Sequence, residues 1–171
     1  MTMRASILVL SLALAAAARA NAQSAPGCGP ANAKFEVTIA KTSNPLPPPE
    51  LGKALVVFMQ DSGSKYAQGT PLTQFGIDGA WVGAAQGDAY FSVPVAPGEH
   101  HLCSNWQAKL SHVGDPRATA ALHFTAEAGK TYFFGTKYIV QNGLVSFDPL
   151  DSDEAKLLMA SFALATSRLK N

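Results

Sequence analysis

Apolar and polar residues alternate in several short segments of this chain. Phe35, Val37 and Ile39 alternate with Glu36 and Thr38. A period of two places successive side chains on opposite faces, so this pattern predicts a half-buried β-strand. The same alternation occurs in residues 89–95 and 118–126. Residues 99–106, which follow the segment 89–95 after a turn, are predicted to form a further strand.

Other segments predict a buried strand and tight turns. Residues 53–60 are almost all apolar, which is typical of a strand covered on both faces. Turns are predicted at Asp78-Gly79, Pro97-Gly98 and Asn142-Gly143. Gly79 and Gly98 are expected to adopt backbone angles that a Cβ disfavours.

The pattern changes near the C-terminus. Asp151 followed three residues later by Glu154 is a helix-capping signal. The stretch 155–169 then spaces its apolar residues as one helical face, formed by Leu157, Leu158, Phe162 and Ala165. The sequence therefore predicts an amphipathic helix over residues 151–171.

Together these elements predict an all-β fold. About eight short strands separated by regular turns are typical of a single immunoglobulin-like β-sandwich. We assign the sandwich to residues 34–150, with the helix as a C-terminal appendage.

Five different segments together form one sequence pattern: Gly52–Phe58 (GKALVVF), Asp78–Gly83 (DGAWVG), Tyr90–His100 (YFSVPVAPGEH), Ala126–Phe133 (AEAGKTYF) and Asp151–Lys156 (DSDEAK). They resemble a family of bacterial secreted or lipoprotein domains of unknown function. They are also similar to small envelope β-modules built around a D-G-x-x-x-G … P-G-x-H core. The resemblance implies an immunoglobulin-like sandwich in the bacterial envelope, and it implies no catalytic residues.

The N-terminus has the pattern of a secretory signal peptide. Arg4 precedes an uncharged apolar run, Ala5–Ala18, that is too short to span a bilayer. Small residues follow, and we predict cleavage after Ala22. Residues 1–22 are therefore assigned to the signal and residues 23–33, rich in small residues and proline, to a flexible leader. An uncleaved N-terminal anchor is the alternative.

The net charge and the hydropathy of the chain limit the classes of partner that it is expected to bind. Cleavage removes two of the 13 Lys and Arg residues and none of the 12 Asp and Glu residues, so the mature chain is nearly neutral. The absence of a basic patch argues against nucleic acid as a partner. No second apolar run is long enough for a membrane span. The predicted location is the periplasm or the cell exterior.

The chain has two cysteines, Cys28 and Cys103. Two cysteines in an exported domain most often pair, so we predict a disulfide between them. The alternatives are a lipid anchor at Cys28 and pairing between chains. Pro26 and the distance from the apolar run argue against lipidation at Cys28.

The histidines suggest a second kind of chemistry. His101 and Cys103 share one face of a predicted strand, whereas His100 points to the other face. His101 and Cys103 could hold zinc or copper if His112 and His123 supplied further ligands, or could act as a nucleophile pair. The competing interpretation is a polar strand face with Cys103 buried or paired. The sequence has no G-x-S-x-G, H-E-x-x-H or phosphate-loop motif and indicates no cofactor.

Aromatic side chains offer a candidate binding surface, for which we select Trp81, Tyr90 and Trp106. Filling the core is the alternative role for such residues. The leading hypothesis is an exported, non-catalytic module that binds or scaffolds an unidentified envelope protein or ligand. The alternative is a metal-handling protein or enzyme that uses His101 and Cys103.

Overall fold

The computed structural model describes residues 28–40, 45–62, 72–107, 119–139 and 144–170. Within these ranges the elements, in chain order, are β1 (Phe35–Ile39), β2 (Ala54–Asp61), β3 (Leu72–Ile77), β4 (Ala80–Gln86), β5 (Ala89–Val95), β6 (Gly98–Trp106), β7 (Ala120–Ala126), β8 (Thr131–Ile139), β9 (Leu144–Leu150), α1 (Ser152–Met159) and β10 (Ala163–Leu169).

The strands form two sheets. The large sheet has the order β1-β10-β5-β2-β8-β9, and the small sheet has the order β4-β3-β6-β7. The two sheets pack as a β-sandwich, which confirms the predicted fold class. In the large sheet β2 lies parallel to β8, and β5 lies parallel to β10, so this sheet is mixed rather than purely antiparallel.

Phenylalanine rings fill the space between the sheets. Phe58 of the large sheet stacks on Phe75 of the small sheet, with ring centroids 4.9 Å apart. Phe91, Phe134 and Phe147 surround this pair, and all of them are buried. These rings reach the space between the sheets because every second residue of a strand faces the opposite sheet.

The outer face of the large sheet is covered as well. Leu55, Val57 and Met59 point away from the small sheet and form a second buried cluster with Ala155 of α1 and Phe162. Strand β2 therefore buries both faces, which confirms the prediction from its continuous apolar run. The described residues therefore form three layers: small sheet, large sheet and helix.

Helix α1 begins as the sequence predicts. The Asp151 carboxylate accepts hydrogen bonds from the backbone N–H groups of Asp153 and Glu154, at 2.8 and 2.9 Å. These bonds lower the pKa of Asp151 below its ordinary value. The cap satisfies two of the four N–H groups that a helix leaves without an internal partner.

The predicted length of the helix is wrong. The helix near the C-terminus is confirmed, but it ends at Met159, and residues 163–169 of the predicted helix form strand β10. β10 lies between β1 and β5 in the large sheet. Ala165, which we assigned to the helical face, packs in the core between the sheets, and Leu157 is 74% exposed.

Two predicted turns have the expected backbone. Gly79 has φ 83° and Gly98 has φ 132°, angles that L side chains rarely adopt. Asp78 also lies in the left-handed region, with φ 51°, and short polar residues tolerate this conformation better than most.

Candidate functional site

The described part of the leader lies against the small sheet and is fixed there by a disulfide. Cys28 pairs with Cys103 of β6, with the two Cα atoms 5.5 Å apart. The predicted cysteine pair is thus confirmed. Cys103 is 8% exposed, so the bond is covered by protein on the β6 side.

Trp81 provides a second contact to the leader. Its indole N–H donates a hydrogen bond to the Pro30 carbonyl at 3.0 Å. Its ring lies directly over Gly29, where a Cβ would come within 2.6 Å of the indole Cδ1 atom. Trp81, which we expected to bind a partner, holds a segment of its own chain.

Two glutamines complete this arrangement. The Gln74 side-chain amide donates to the Ala33 carbonyl at 2.7 Å. The Gln107 amide donates to the Phe35 carbonyl at 2.9 Å, and its oxygen accepts a hydrogen bond from the Phe35 N–H. We call these contacts, together with the disulfide and Trp81, the leader clamp.

The leader clamp involves the described part of the segment 23–33, which we predicted to be a flexible leader. Residues 28–33 are fixed by a covalent bond and side-chain hydrogen bonds to β3, β4 and β6. Residues 23–27 lie outside the described residues. Gln74 and Gln107 were not identified from the sequence, because no sequence motif indicates which group a glutamine side chain will bind.

The three aromatic residues selected as a binding surface do not come together. Tyr90 is fully buried on the outer face of the large sheet, in the cluster with Ala155 and Phe162. It therefore cannot contact a partner at the surface. Trp106 is half-buried at the end of β6, where it is the register partner of Thr73. Trp81 lies near the opposite end of the small sheet, beside the Asp78-Gly79 turn.

The structure removes Cys103 from the candidate metal ligands and brings His101 and His123 together. Cys103 is committed to the disulfide, which removes the thiolate that a metal or nucleophile site would need. His101 instead lies opposite His123 of β7, with ring centroids 6.4 Å apart, and both residues are exposed. No group of three or more His, Cys, Asp or Glu residues that could hold a metal ion occurs within the described ranges. His112 lies outside them.

A group of hydrogen-bonded polar atoms connects two turns. His100 Nδ1 lies 2.7 Å from Asp78 Oδ2, and His100 Nε2 lies 2.8 Å from the carbonyl oxygen of Ala96. The other carboxylate oxygen of Asp78 accepts a hydrogen bond from the His101 N–H at 2.9 Å. We call Asp78, Ala96 and His100 the turn bridge.

The turn bridge shifts the pKa values of both titratable groups. Partial burial favours neutral His100, but the Ala96 carbonyl and the Asp78 carboxylate outweigh it and raise the pKa of His100 above 6.5. Burial likewise favours neutral Asp78, and the His101 N–H together with the His100 ring overcomes this effect and lowers its pKa. Sequence reasoning placed both residues in or beside turns, but nothing in their spacing showed that they touch.

Comparisons with known proteins give no relatives. No family model, curated protein or solved structure matches the chain. Among the described residues, no helix has the length and hydropathy needed to cross a membrane.

Proposed function

We propose that this chain is an exported, non-catalytic β-sandwich module of the bacterial envelope that binds or scaffolds a partner there. The Cys28–Cys103 disulfide is the observation that carries the proposal. It joins the sandwich to residues that lie just after the proposed cleavage site at Ala22. Disulfides persist in oxidising compartments and are rare in the cytosol.

The resemblance stated above supports the same proposal. Its segments coincide with turns, buried strands and the helix cap: Gly79 and Gly98 have positive φ, and Asp151 caps α1. The first and last residues of the D-G … P-G-x-H core, Asp78 and His100, are hydrogen-bond partners in the turn bridge. The pattern is therefore explained by structural roles, as expected for a non-catalytic module.

Export is tested with the full chain expressed in a bacterium. The envelope fraction should contain a protein that begins at Gln23 and that gains two alkylatable thiols only after reduction. A Cys28→Ser/Cys103→Ser variant serves as the matched control, because it should be exported without the mass change. Cytoplasmic retention of the wild-type chain with both thiols free contradicts the proposal, and a mature chain starting at lipidated Cys28 contradicts the signal cleavage at Ala22.

Partner binding is tested by site-specific photo-crosslinking in intact cells. Thr125 is exposed on the outer face of the small sheet, and Leu157 is exposed on the helix side. A discrete adduct from one of these positions, absent from the other, supports binding through that layer. Identical smears or no adduct from both positions contradict a defined binding face.

Binding of a transition-metal ion by His101 and His123 is the second candidate function. Their direct cross-strand register favours it, since two imidazoles on one sheet face are suitable ligands for zinc or copper. Calorimetric titration with Cu²⁺ and Zn²⁺ should show one site that His101→Ala and His123→Ala each abolish. Thr125→Ala, an exposed position on the same face of β7 as His123, is the control. Equal affinity in all four proteins contradicts this candidate.

A further inference from the structure

His100 lies between two turns at the same end of the sandwich. One turn, Asp78-Gly79, joins β3 to β4, and the other, at Ala96 and Pro97, joins β5 to β6. The His100 side chain is 12% exposed, and each of its ring nitrogens lies within 2.8 Å of an oxygen atom from one of these turns. The imidazole links the two turns directly.

The chemistry of the two partners determines which form of the ring fits. The Ala96 carbonyl oxygen can only accept a hydrogen bond, and an ionised carboxylate can only accept as well. Asp78 acts as an acceptor on its other oxygen too, because it receives the His101 N–H. Both ring nitrogens of His100 must therefore donate, and only the protonated imidazolium has two N–H groups.

We propose that His100 is a pH-responsive clamp that holds the β3–β4 turn and the β5–β6 turn together in its charged form and releases one of them when it becomes neutral. Neutral imidazole carries one lone pair, which would face either the Asp78 carboxylate or the Ala96 carbonyl. That contact becomes repulsive, so one of the two turns must move away. The inference does not depend on the proposed function.

Among the described residues around His100, Asp78 is the charged partner. On β7 the ring of Phe124 lies 5.7 Å from the His100 ring, and an aromatic face favours a nearby cation. The ring of Phe124 also contacts the ring of Tyr132 of β8. The Tyr132 hydroxyl accepts a hydrogen bond from the Glu127 N–H. Glu99 and His101 flank His100 along β6, and His123 and Thr125 flank Phe124 along β7; all four residues alternate to the opposite sheet face.

The direction of the pH effect follows from the raised pKa of His100. The folded protein holds this proton more tightly than the unfolded chain, so the clamp contributes its full stabilisation below pH 6.5, the ordinary value for histidine. That contribution is lost as the pH rises through the folded-state pKa. Acidification from neutral pH therefore tightens this end of the sandwich.

Nuclear magnetic resonance of the His100 ring in the oxidised protein tests the proposal. Below pH 6.5 both ring nitrogens should carry protons, and on raising the pH the backbone amide signals of Gly79 and Gly98 should shift with the same midpoint as the ring. Asp78→Asn keeps a residue that tolerates positive φ but removes the charge. It should move the midpoint to lower pH by about one unit, a tenfold change in proton affinity.

A His101→Gln variant is the matched control, because it changes the adjacent histidine and leaves the turn bridge intact. Its His100 midpoint should stay within a few tenths of a unit of the wild-type midpoint, on the scale of exposed-charge effects. A neutral His100 below pH 6.5, or turn amide signals that do not follow its titration, overturns the proposal. The wild-type titration alone decides these outcomes even where a substitution prevents folding.

Discussion

At the scale of single residues, Gly76 makes the leader clamp sterically feasible. Gly76 lies opposite Cys103 in the pairing of β3 with β6, and the pairing of β3 with β4 shifts register between Phe75 and Gly76. A Cβ at this position would lie 2.6 Å from the Cys28 carbonyl oxygen and 2.8 Å from the Cys103 sulfur. The leader can pass over β3 only because no side chain stands there.

We expect Gly76→Ala to destabilise the oxidised protein. The added methyl group must displace backbone or the disulfide, which costs about 1–3 kcal/mol in a well-packed site. Denaturant unfolding of the oxidised protein measures this cost. In the Cys28→Ser/Cys103→Ser background the leader can move away, so Gly76→Ala should cost less there. Equal costs in both backgrounds would show that Gly76 acts independently of the clamp.

At the scale of elements, the sequence predicts most strands but misses the last one. Strands such as β2, β5 and β7 were predictable because their side-chain pattern is set by one or two buried faces. The segment Ala163–Leu169 contains Ala and Leu, which favour helices, and it follows a genuine helix. Its pairing with β1 and β5 overrides this local preference, and no local pattern reports a partner so distant in the chain.

The alternation of β10 predicts a large effect at one position and almost none at the next. Ala165 is buried between the sheets, whereas Thr166 is exposed. Ala165→Glu should therefore cost more than about 3 kcal/mol by burying an unpaired charge, and Thr166→Glu should change stability by less than about 0.5 kcal/mol. Thermal melting measures both, and failure of the first variant alone to give folded protein agrees with the prediction. Similar losses at both positions would argue against the strand.

At the scale of the whole molecule, the leader clamp and the last strand hold distant parts of the chain together. The disulfide links positions 75 residues apart, and the Ser167 hydroxyl of β10 accepts a hydrogen bond from the Ala84 N–H of β4 at 2.9 Å. The disulfide was predictable from the cysteine count together with the predicted export of the chain. The turn bridge and the glutamine contacts were not, because they depend on how turns and strands from separate parts of the chain come together.

Reduction of the disulfide should lower the stability of the whole domain. In the chain-entropy model, closing a loop of this length is worth about 4.5 kcal/mol, as an upper figure. Chemical unfolding with and without reductant measures the loss, and the Cys28→Ser/Cys103→Ser variant should match the reduced protein. A wild-type protein whose unfolding midpoint does not respond to reductant would contradict the disulfide.

The neighbouring positions of β1 and β10 also determine when the sandwich can be completed. Among the described strands, β1 pairs with β10 alone, and the Lys170 N–H donates to the Lys34 carbonyl at 2.8 Å. A chain still emerging from a ribosome or a membrane channel therefore lacks the strand that separates β1 from β5. Until Ala163 and Leu164 arrive and pair with β5, the free edge of β5 can pair with another chain. Deletion of residues 163–169 would leave that edge exposed in the finished protein and would favour aggregation.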